Sequence, residues 1–449
     1  MGAAVEKLTG LAQAADRFAI GHADLREAQI DAMNECLQER RERIKLLDHR
    51  AKEASLREIR TLEDVVPVLF PHTAYKSYPE SWLIGQKWDR LGKWLGTVSA
   101  YPIAPIDTSD IRDIDDWIAR LEAVGHFVAC SSGTTGKSAM LIASARDIEW
   151  SCSDNVAAFS WGSGVEAKQD YRMFGLAPVA HVTKNQAIGN AHTAAFGDPR
   201  VEKFHLPVPP ITVGQLTKMV VLRKAIAEGT ARPADIAAFE ATSKERQETL
   251  EKSYILGAEA LVAAREHKLF ISGMWNALYQ IAVLVRGMGY SGKDFHPENC
   301  IYVGGGLKRA QLPPDYQQVV HETFNIPAHR NFQIYSMQEL GSTMPRCQKG
   351  RRYHVPPWIV PLILNKNGDA LEPKRGSEVE GRAAFFDLSL DGRWGGVITG
   401  DKISLDFAPC ACGNASPSVR DDIVRYADLE GDDKIGCAGT VDAYVRGLS

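Results

Sequence analysis

The chain has 449 residues, 45% hydrophobic and 24% charged, a composition typical of globular proteins that excludes a disordered or fibrous chain. With a formal net charge of −4, it carries no overall attraction for nucleic acid or anionic lipid, and we expect neither as a partner. The sequence has no apolar run long enough to span a membrane and no signal segment, and its eight cysteines are mostly isolated. We therefore expect a cytoplasmic protein without a disulfide framework or membrane partner.

The amino-terminal third mixes helical and irregular patterns. Residues 2–60 have apolar side chains at three- and four-residue spacing, which predicts amphipathic helices. Aromatic and proline residues then become frequent between Leu62 and Tyr101, which predicts irregular segments covering a hydrophobic wall. The run from Ile111 to Gly125 predicts a short helix ending at glycine, and the HFVAC that follows predicts a buried strand.

The remainder of the chain has an alternating pattern. Residues 217–267 predict two or three helices. After them, the short apolar runs LFISG, CIYV and FQIYS alternate with helical patterns, which is typical of a layered α/β core. Beyond about Val355, strands and turns predict a mostly β sub-region.

The strongest local signal is the segment Cys130–Ser138, which reads CSSGTTGKS. Glycines that let N–H groups turn inward, hydroxyl donors and a lysine together suit a polyphosphate. A Walker A loop is one interpretation, since Gly136, Lys137 and Ser138 fit it, but Ser131 stands where its first glycine is required. A Walker loop also opens a helix, whereas the SAMLIAS after Lys137 suits a strand. A second interpretation is a flexible turn that binds no ligand.

The third interpretation of this segment rests on its resemblance to a known enzyme superfamily. Residues 131–136, SSGTTG, match the Ser/Thr/Gly loop of adenylate-forming enzymes at all six positions. Further segments follow that resemble this superfamily's motifs: L-A-P-V-A-His181, the glycines 304–306, Tyr335-Ser336-M-Q-Glu339 and T-G-Asp401. Ser336 and Gln338 depart from the Y-G-x-T-E pattern. The resemblance covers about Phe127 to the carboxyl terminus.

The glycine segment GGGLK at 304–308 and the PCACG at 409–413 are similar to the phenylacetate–CoA ligase and acyl-protein synthetase branch of the superfamily. The fold implied is α/β: a layered adenylate-forming N-terminal domain with a β-rich sub-region and an added helical N-terminus. The predicted boundaries are 1–105 for the helical region, 106–350 for the core, 351–435 for the β-rich sub-region, and 436–449 for a truncated hinge and tail.

The resemblance also implies roles for individual residues, with ATP and Mg²⁺ as cofactors. Lys137, His181, Glu339 and Cys437 are the expected catalytic residues. Thr134 and Glu339 are expected to hold magnesium, Tyr335 to stack on adenine and Asp401 to bind the ribose. The full nucleotide-binding set is expected to comprise Ser131, Ser132, Gly133, Thr134, Thr135, Gly136, Lys137, Gly304, Gly305, Gly306, Tyr335, Ser336, Glu339 and Asp401.

The end of the sequence resembles the family's hinge without its mobile domain. Only ten residues follow the segment 432–439, and the arginine that precedes the hinge aspartates is missing, with Arg420 or Arg425 as possible substitutes. In the acyl-protein synthetase branch a cysteine near the terminus accepts the acyl group, and Cys437 occupies a comparable position. The alternative is an unreactive cysteine in a terminal strand.

Cys347, His354, Cys410 and Cys412 supply four soft ligands on either side of the T-G-D segment. Tetrahedral zinc takes such sets, and four protein ligands would make the site structural. The alternative is a pair of buried thiols.

The predicted activity is therefore ATP-dependent activation of a carboxylic acid through an acyl-adenylate. The acyl group would pass to a thiol, either that of Cys437 or that of an acyl-accepting protein, carrier or reductase. One alternative is a ligase that uses CoA or an amine directly, and another is a P-loop NTPase or nucleotide-binding module.

Overall fold

The computed structural model describes residues 2–130, 137–178, 182–304, 311–430 and 435. The helices, in chain order, are α1 Ala3–Thr9, α2 His22–Arg41, α3 Lys45–Glu53, α4 Leu62–Val65, α5 Glu80–Ile84, α6 Trp88–Val98, α7 Ile114–Ala123, α8 Ala145–Ser163, α9 Thr183–Phe196, α10 Val213–Ala227, α11 Pro233–Ala263, α12 Trp275–Gly287, α13 Tyr316–Thr323 and α14 Tyr426–Glu430. Among these, none is long and apolar enough to cross a membrane.

The strands are β1 Phe70–Pro71, β2 Phe127–Cys130, β3 Met140–Ala143, β4 Arg172–Leu176, β5 Phe204–His205, β6 Leu269–Gly273, β7 Cys300–Val303, β8 Asn331–Tyr335, β9 Met344–Pro345, β10 Tyr353–His354, β11 Ile359–Leu364, β12 Glu378–Asp387, β13 Gly396–Asp406, β14 Ser418–Val419 and β15 Val424–Arg425. The chain divides into two compact units. Unit 1 comprises Met1–Asp154 and Ser336–Ser449, and unit 2 comprises Asn155–Tyr335.

Unit 2 contains a parallel sheet in the order β5, β4, β6, β7, β8. Helices α11, α12 and α13 pack through apolar side chains around Ile271 and Ile301. Aromatic side chains form a second cluster around Phe159. The strands are apolar runs because parallel strands covered by helices expose little of either face to water. The apolar runs predicted as strands after residue 267 form β6, β7 and β8 of this sheet.

Unit 1 is built on a mostly antiparallel sheet in which β13 is central. Its order is β10, β14, β13, β12, β11, and both β1 and β15 also pair with β13. The long strands β11, β12 and β13 are buried along most of their length. The β-rich character predicted beyond Val355 is confirmed by these strands.

The amino-terminal helices of unit 1 pack on this sheet region. The Gln29 side chain on α2 donates to the carbonyl of Pro357 at 2.9 Å. The buried Arg40 guanidinium donates to the carbonyls of Leu390 and Asp391, so α2 is held by polar contacts as well as by its apolar face. The helix predicted at 111–125 also forms, capped by the Asp113 carboxylate, which accepts from the N–H groups of residues 115 and 116 at 3.0 Å.

One expectation was partly wrong. The aromatic-rich stretch between Leu62 and Tyr101 is more regular than predicted, since it forms α6, the short helices α4 and α5, and two 3₁₀ helices. Its aromatic residues Tyr75, Tyr78 and Trp94 are fully buried in unit 1 and do not cover a wall from outside. Pattern reading missed α6 because its glycines and tryptophans have only middling or poor helix propensity, and burial of its apolar face outweighs that preference.

Candidate functional site

The predicted phosphate loop connects two antiparallel strands. Strands β2 and β3 pair from Phe127↔Ala143 to Cys130↔Met140. Residues Ser131, Ser132, Gly133, Thr134, Thr135 and Gly136 lie outside the described residues, so the roles assigned to them stay predictions. The strand β3 follows the loop, whereas a Walker A loop leads directly into a helix. The structure therefore disfavours the Walker interpretation.

Lys137 directly follows this loop, and its side chain contacts the buried Tyr78. Its Nζ donates to the carbonyl oxygen of Tyr78 at 2.7 Å and lies 5.2 Å from the centroid of the Tyr78 ring. The Tyr78 hydroxyl in turn donates to the carbonyl of Ser138 at 2.8 Å. These contacts hold Lys137 and Ser138, at the exit of the loop, against Tyr78.

The Tyr78 contact belongs to a segment that the sequence analysis did not assign to the site. Residues 70–78, here called the bridging segment, begin with β1, which runs parallel to β13 with Pro71 opposite Ile398. A 3₁₀ helix follows at His72–Lys76. Because the two strands are parallel, the chain leaves β1 toward the same end as the T-G-D residues 399–401. The bridging segment thus runs from the part of β13 that precedes Asp401 to Lys137 at the exit of the phosphate loop.

Glu339 lies within a group of charged side chains in unit 1. Burial raises the pKa of its carboxyl, while the nearby charges of Lys76 and Arg393 act to lower it and that of Asp401 to raise it. The Arg393 guanidinium donates to the Glu339 carbonyl at 3.0 Å and to the Ile142 carbonyl on β3 at 2.8 Å. Arg393 therefore ties the backbone at Glu339 to the hairpin that carries the phosphate loop.

Asp401 sits near the middle of β13. Its N–H donates to the Thr399 hydroxyl at 3.1 Å, and that hydroxyl donates to the Ala383 carbonyl at 2.8 Å. Its carboxylate is 3.5 Å from Nε of Arg425, and the two residues are paired across β13 and β15. Of the two arginines left open by the sequence, Arg425 thus neighbours Asp401. Arg420 pairs with Glu378 at 3.0 Å.

The predicted adenine-side residues lie in unit 2 at the carboxyl ends of its strands. Gly304 follows β7, and its N–H donates to the Gly273 carbonyl at the end of β6 at 3.2 Å. Tyr335 is the buried last residue of β8. Ligands of parallel α/β sheets bind at this edge. Ser336, the first residue of the second part of unit 1, is exposed. Gly305, Gly306, His181 and Cys437 lie outside the described residues.

The four predicted metal ligands come together in unit 1. The ligand atoms of Cys347, His354, Cys410 and Cys412 all lie within 4.8 Å of one another. The Sγ atoms of Cys347 and Cys410 are 3.7 Å apart, and Cys412 Sγ is 3.3 Å from Nε2 of His354. Zn–S bonds of about 2.3 Å in a tetrahedron separate the sulfur atoms by about 3.8 Å, so this spacing fits a single zinc ion.

Surrounding contacts orient these ligands. The Nδ1 of His354 is 2.8 Å from the Ser416 hydroxyl, which leaves Nε2 facing the sulfur atoms. Burial lowers the pKa of the His354 ring to about 4, so the ring is the neutral ligand that a metal requires. Burial also raises the pKa of Cys410 to about 12, so its thiol would need a cation to become a thiolate. A side chain at Gly350 would collide with Cys410 Sγ, so the cluster is closely enclosed.

Comparison with known proteins identifies the fold. No protein-family model matches the chain, and no curated protein sequence matches it. Solved structures of 2-hydroxyisobutyryl-CoA ligase are similar to it. The open conformation with 2-HIB-AMP and CoA matches with a TM-score of 0.55 and 12% identity, covering 92% of this chain and 75% of that one. The thioesterification-state complex matches with a TM-score of 0.56 and 12% identity, covering 91% and 70%.

A third structure of that ligase, in the postadenylation state with R3-HIB-AMP, matches with a TM-score of 0.55 and 11% identity, covering 92% and 73%. The chain therefore has the fold of this adenylate-forming ligase over most of its length. The fold predicted from the motif resemblance is confirmed.

Proposed function

We propose that this protein is an adenylate-forming ligase that activates a carboxylic acid with ATP. The observation that carries the proposal is that a loop matching the adenylate-forming motif at all six positions joins two strands in a chain with the fold of such a ligase. Lys137, Glu339 and Asp401, each assigned from an independent motif, all belong to unit 1 and are linked there by the bridging segment and Arg393.

In this reaction a carboxylate oxygen attacks the α-phosphorus of ATP, and the bond from that phosphorus to the β-phosphate oxygen breaks. The products are an acyl-adenylate and pyrophosphate. Lys137 and the loop hydroxyls bind the phosphates and neutralise their charge. Asp401 accepts hydrogen bonds from the ribose hydroxyls, Tyr335 and the glycines 304–306 contact adenine, and His181 lines the acyl side. Thr134 and Glu339 would hold Mg²⁺, which screens the phosphate charges when bound.

A thiol sulfur then attacks the carbonyl carbon of the acyl-adenylate. The bond from that carbon to the phosphate oxygen breaks, and the thioester forms with release of AMP and of the thiol proton. The ligase complexes with CoA support CoA as the acceptor for this chain as well. Transfer to Cys437, or to the thiol of a partner protein, remains the other proposal, and it rests on the acyl-protein synthetase resemblance. Reactions with ATP and acid, run with and without CoA, separate the two. A protein acyl adduct seen by intact-mass spectrometry in wild type and absent from Cys437→Ser supports the cysteine, and acyl-CoA formed when CoA is present supports CoA.

The test of activation itself is exchange between pyrophosphate and ATP across a panel of carboxylic acids. The proposal predicts exchange that depends on one class of acid, with AMP and pyrophosphate as products. Production of ADP and phosphate would instead support an NTPase, and absence of exchange with every acid would refute carboxylate activation.

We also propose that Cys347, His354, Cys410 and Cys412 bind a structural zinc ion. Their convergence and the sulfur separation support this proposal. Four protein ligands leave no open position for a substrate, so the ion would brace the fold and take no part in the reaction.

A further inference from the structure

The strongest unassigned feature of unit 1 is a lysine on the bridging segment. Lys76 ends the 3₁₀ helix His72–Lys76 and is only partly exposed. No motif marked it, because the segment precedes the phosphate loop by about fifty residues and resembles none of the family's signatures. Its place in the fold nevertheless puts it among the residues expected to bind the nucleotide.

Both ends of the bridging segment are held. At one end β1 pairs with β13 at Val397 and Ile398, just before Asp401. At the other end the Tyr78 carbonyl accepts from Lys137 at 2.7 Å. Between them, the Ser77 hydroxyl donates to the Ala74 carbonyl at 2.8 Å and accepts from the Trp94 indole at 2.9 Å. The backbone around Lys76 is therefore fixed by neighbours on each side.

The charges around Lys76 are those of the expected nucleotide site. Burial lowers the pKa of its ammonium group, the negative charge of Glu339 acts to raise it, and the positive charge of Arg425 acts to lower it further. Arg425 is the partner of Asp401 at 3.5 Å. Lys76 thus belongs to one charge cluster with the carboxylate expected at magnesium and the carboxylate expected at the ribose.

This cluster has more cations than anions. Lys76, Arg393 and Arg425 lie around two carboxylates, Glu339 and Asp401. The buried Arg393 guanidinium donates to backbone carbonyls, which supply no negative charge. Keeping Lys76 and Arg393 largely out of water beside a further cation is unfavourable unless an anion completes the site. A triphosphate has the charge and the length to do so.

We propose that Lys76 binds the triphosphate of ATP, as a second ammonium group beside Lys137. The proposal rests on the proposed function in taking ATP as the nucleotide. Lysine suits this role because its ammonium group is a compact charge that binds phosphate oxygens without a fixed geometry. The bridging segment would then be part of the active site, and the amino-terminal region would supply a substrate-binding residue as well as packing.

The test is direct binding, by calorimetry, of Mg-ATP and of adenosine to the full chain carrying Lys76→Met or Lys76→Arg. Loss of a charged hydrogen bond to phosphate predicts ATP affinity about 10- to 100-fold weaker in Lys76→Met, with partial recovery in Lys76→Arg. Adenosine affinity should stay within about twofold of wild type, because adenosine has no phosphate for the lysine to contact. Lys93→Met, which removes an exposed lysine on α6, is the matched control and should change neither affinity.

The alternative role for Lys76 is as a structural partner of Glu339. In that case Lys76→Met would act through the expected magnesium ligand, so it would weaken Mg-ATP and leave metal-free ATP, measured in EDTA, within about twofold of wild type. That result would overturn the proposal, as would equal weakening of ATP and adenosine or no change in either. A wild-type chain that binds no ATP would overturn it as well. Absence of pyrophosphate exchange, together with ATP binding that depends on Lys76, would refute carboxylate activation while supporting this assignment.

Discussion

The ammonium group of Lys137 donates to the backbone carbonyl of Tyr78 at 2.7 Å, across 59 positions of sequence. This bond joins the exit of the predicted phosphate loop to the bridging segment. The Tyr78 hydroxyl also donates to the Ser138 carbonyl at 2.8 Å, so two hydrogen bonds link the bridging segment to the loop exit. The lysine is therefore positioned by the protein before any phosphate binds.

Replacing Lys137 tests its assignment to the phosphates. Lys137→Met removes a positive charge next to the loop, and we expect the rate of acid-dependent ATP–pyrophosphate exchange to fall by about 100-fold or more. Lys137→Arg should retain part of the rate, since it keeps the charge. Lys93→Met serves as the surface control. Exchange within about twofold of wild type in Lys137→Met would remove this residue from the mechanism.

The ribose role of Asp401 can be separated from general damage by changing the nucleotide. Asp401→Ala should weaken ATP binding by about 10- to 100-fold, because charge-assisted hydrogen bonds to the two hydroxyls are lost. Binding of 2′,3′-dideoxy-ATP should be equally weak in wild type and variant, since that nucleotide lacks both hydroxyls. A loss in Asp401→Ala that is the same for the two nucleotides would contradict the assignment.

Metal content and stability test the cysteine–histidine cluster. We expect about one zinc per chain by elemental analysis, and none in Cys412→Ser after dialysis. Removing the ion should lower the free energy of unfolding on the order of 4 kcal/mol, because the ion binds the folded state only. Cys152→Ser, which changes a cysteine that forms no disulfide and lies outside the cluster, is the control. Wild-type protein that contains no zinc after expression in zinc-supplemented medium would refute the site.

A milder test leaves all four ligands in place. Gly350→Ala adds one methyl group where Cys410 Sγ stands, so the cluster must open to admit it. We expect reduced zinc content and a lower melting temperature. The matched control is Gly10→Ala, because Gly10 has open space around its added carbon. Unchanged zinc occupancy in Gly350→Ala would mean that the enclosure around Cys410 does not matter for binding.

The buried carboxyl of Asp154 predicts a pH effect on stability. It accepts from the N–H of Thr343 at 2.8 Å and from its hydroxyl at 3.0 Å, yet desolvation raises its pKa from 3.8 to about 6. Between those values the folded state keeps a proton that the unfolded chain has lost. The contribution of Asp154 to the free energy of unfolding is therefore greatest at low pH and falls as pH rises from about 4 to about 6.

Asp154→Asn keeps an acceptor for Thr343 and removes the titration. Relative to wild type, its free energy of unfolding should improve by about 3 kcal/mol between pH 4 and pH 7, measured in urea titrations. Asp369→Asn, in an exposed turn, should track wild type throughout. A difference between Asp154→Asn and wild type that does not vary with pH would show that the carboxyl is ionised in the folded state across this range.

Local patterns predicted much of this protein because they reflect local physics. The spacing of apolar residues and the positions of turn residues predicted the helix ending at Gly125, the strands β6, β7 and β8 of unit 2, and the β-rich region after Val355. The hairpin around the phosphate loop followed from the apolar run after Lys137. The convergence of Cys347, His354, Cys410 and Cys412 was also predicted, because the chemistry of these residue types marks them as possible ligands of one metal ion wherever the fold places them.

The residues that only the tertiary structure identified have ordinary sequence surroundings. Arg425 rather than Arg420 neighbours Asp401 because β15 pairs with β13 at that register, and register depends on the whole sheet. Lys76 and Tyr78 join the candidate site because β1 pairs with β13 and carries the bridging segment toward Lys137. Composition and motif spacing do not predict these strand pairings. The pairings depend on contacts between residues far apart in the sequence, and packing of the core determines which contacts form.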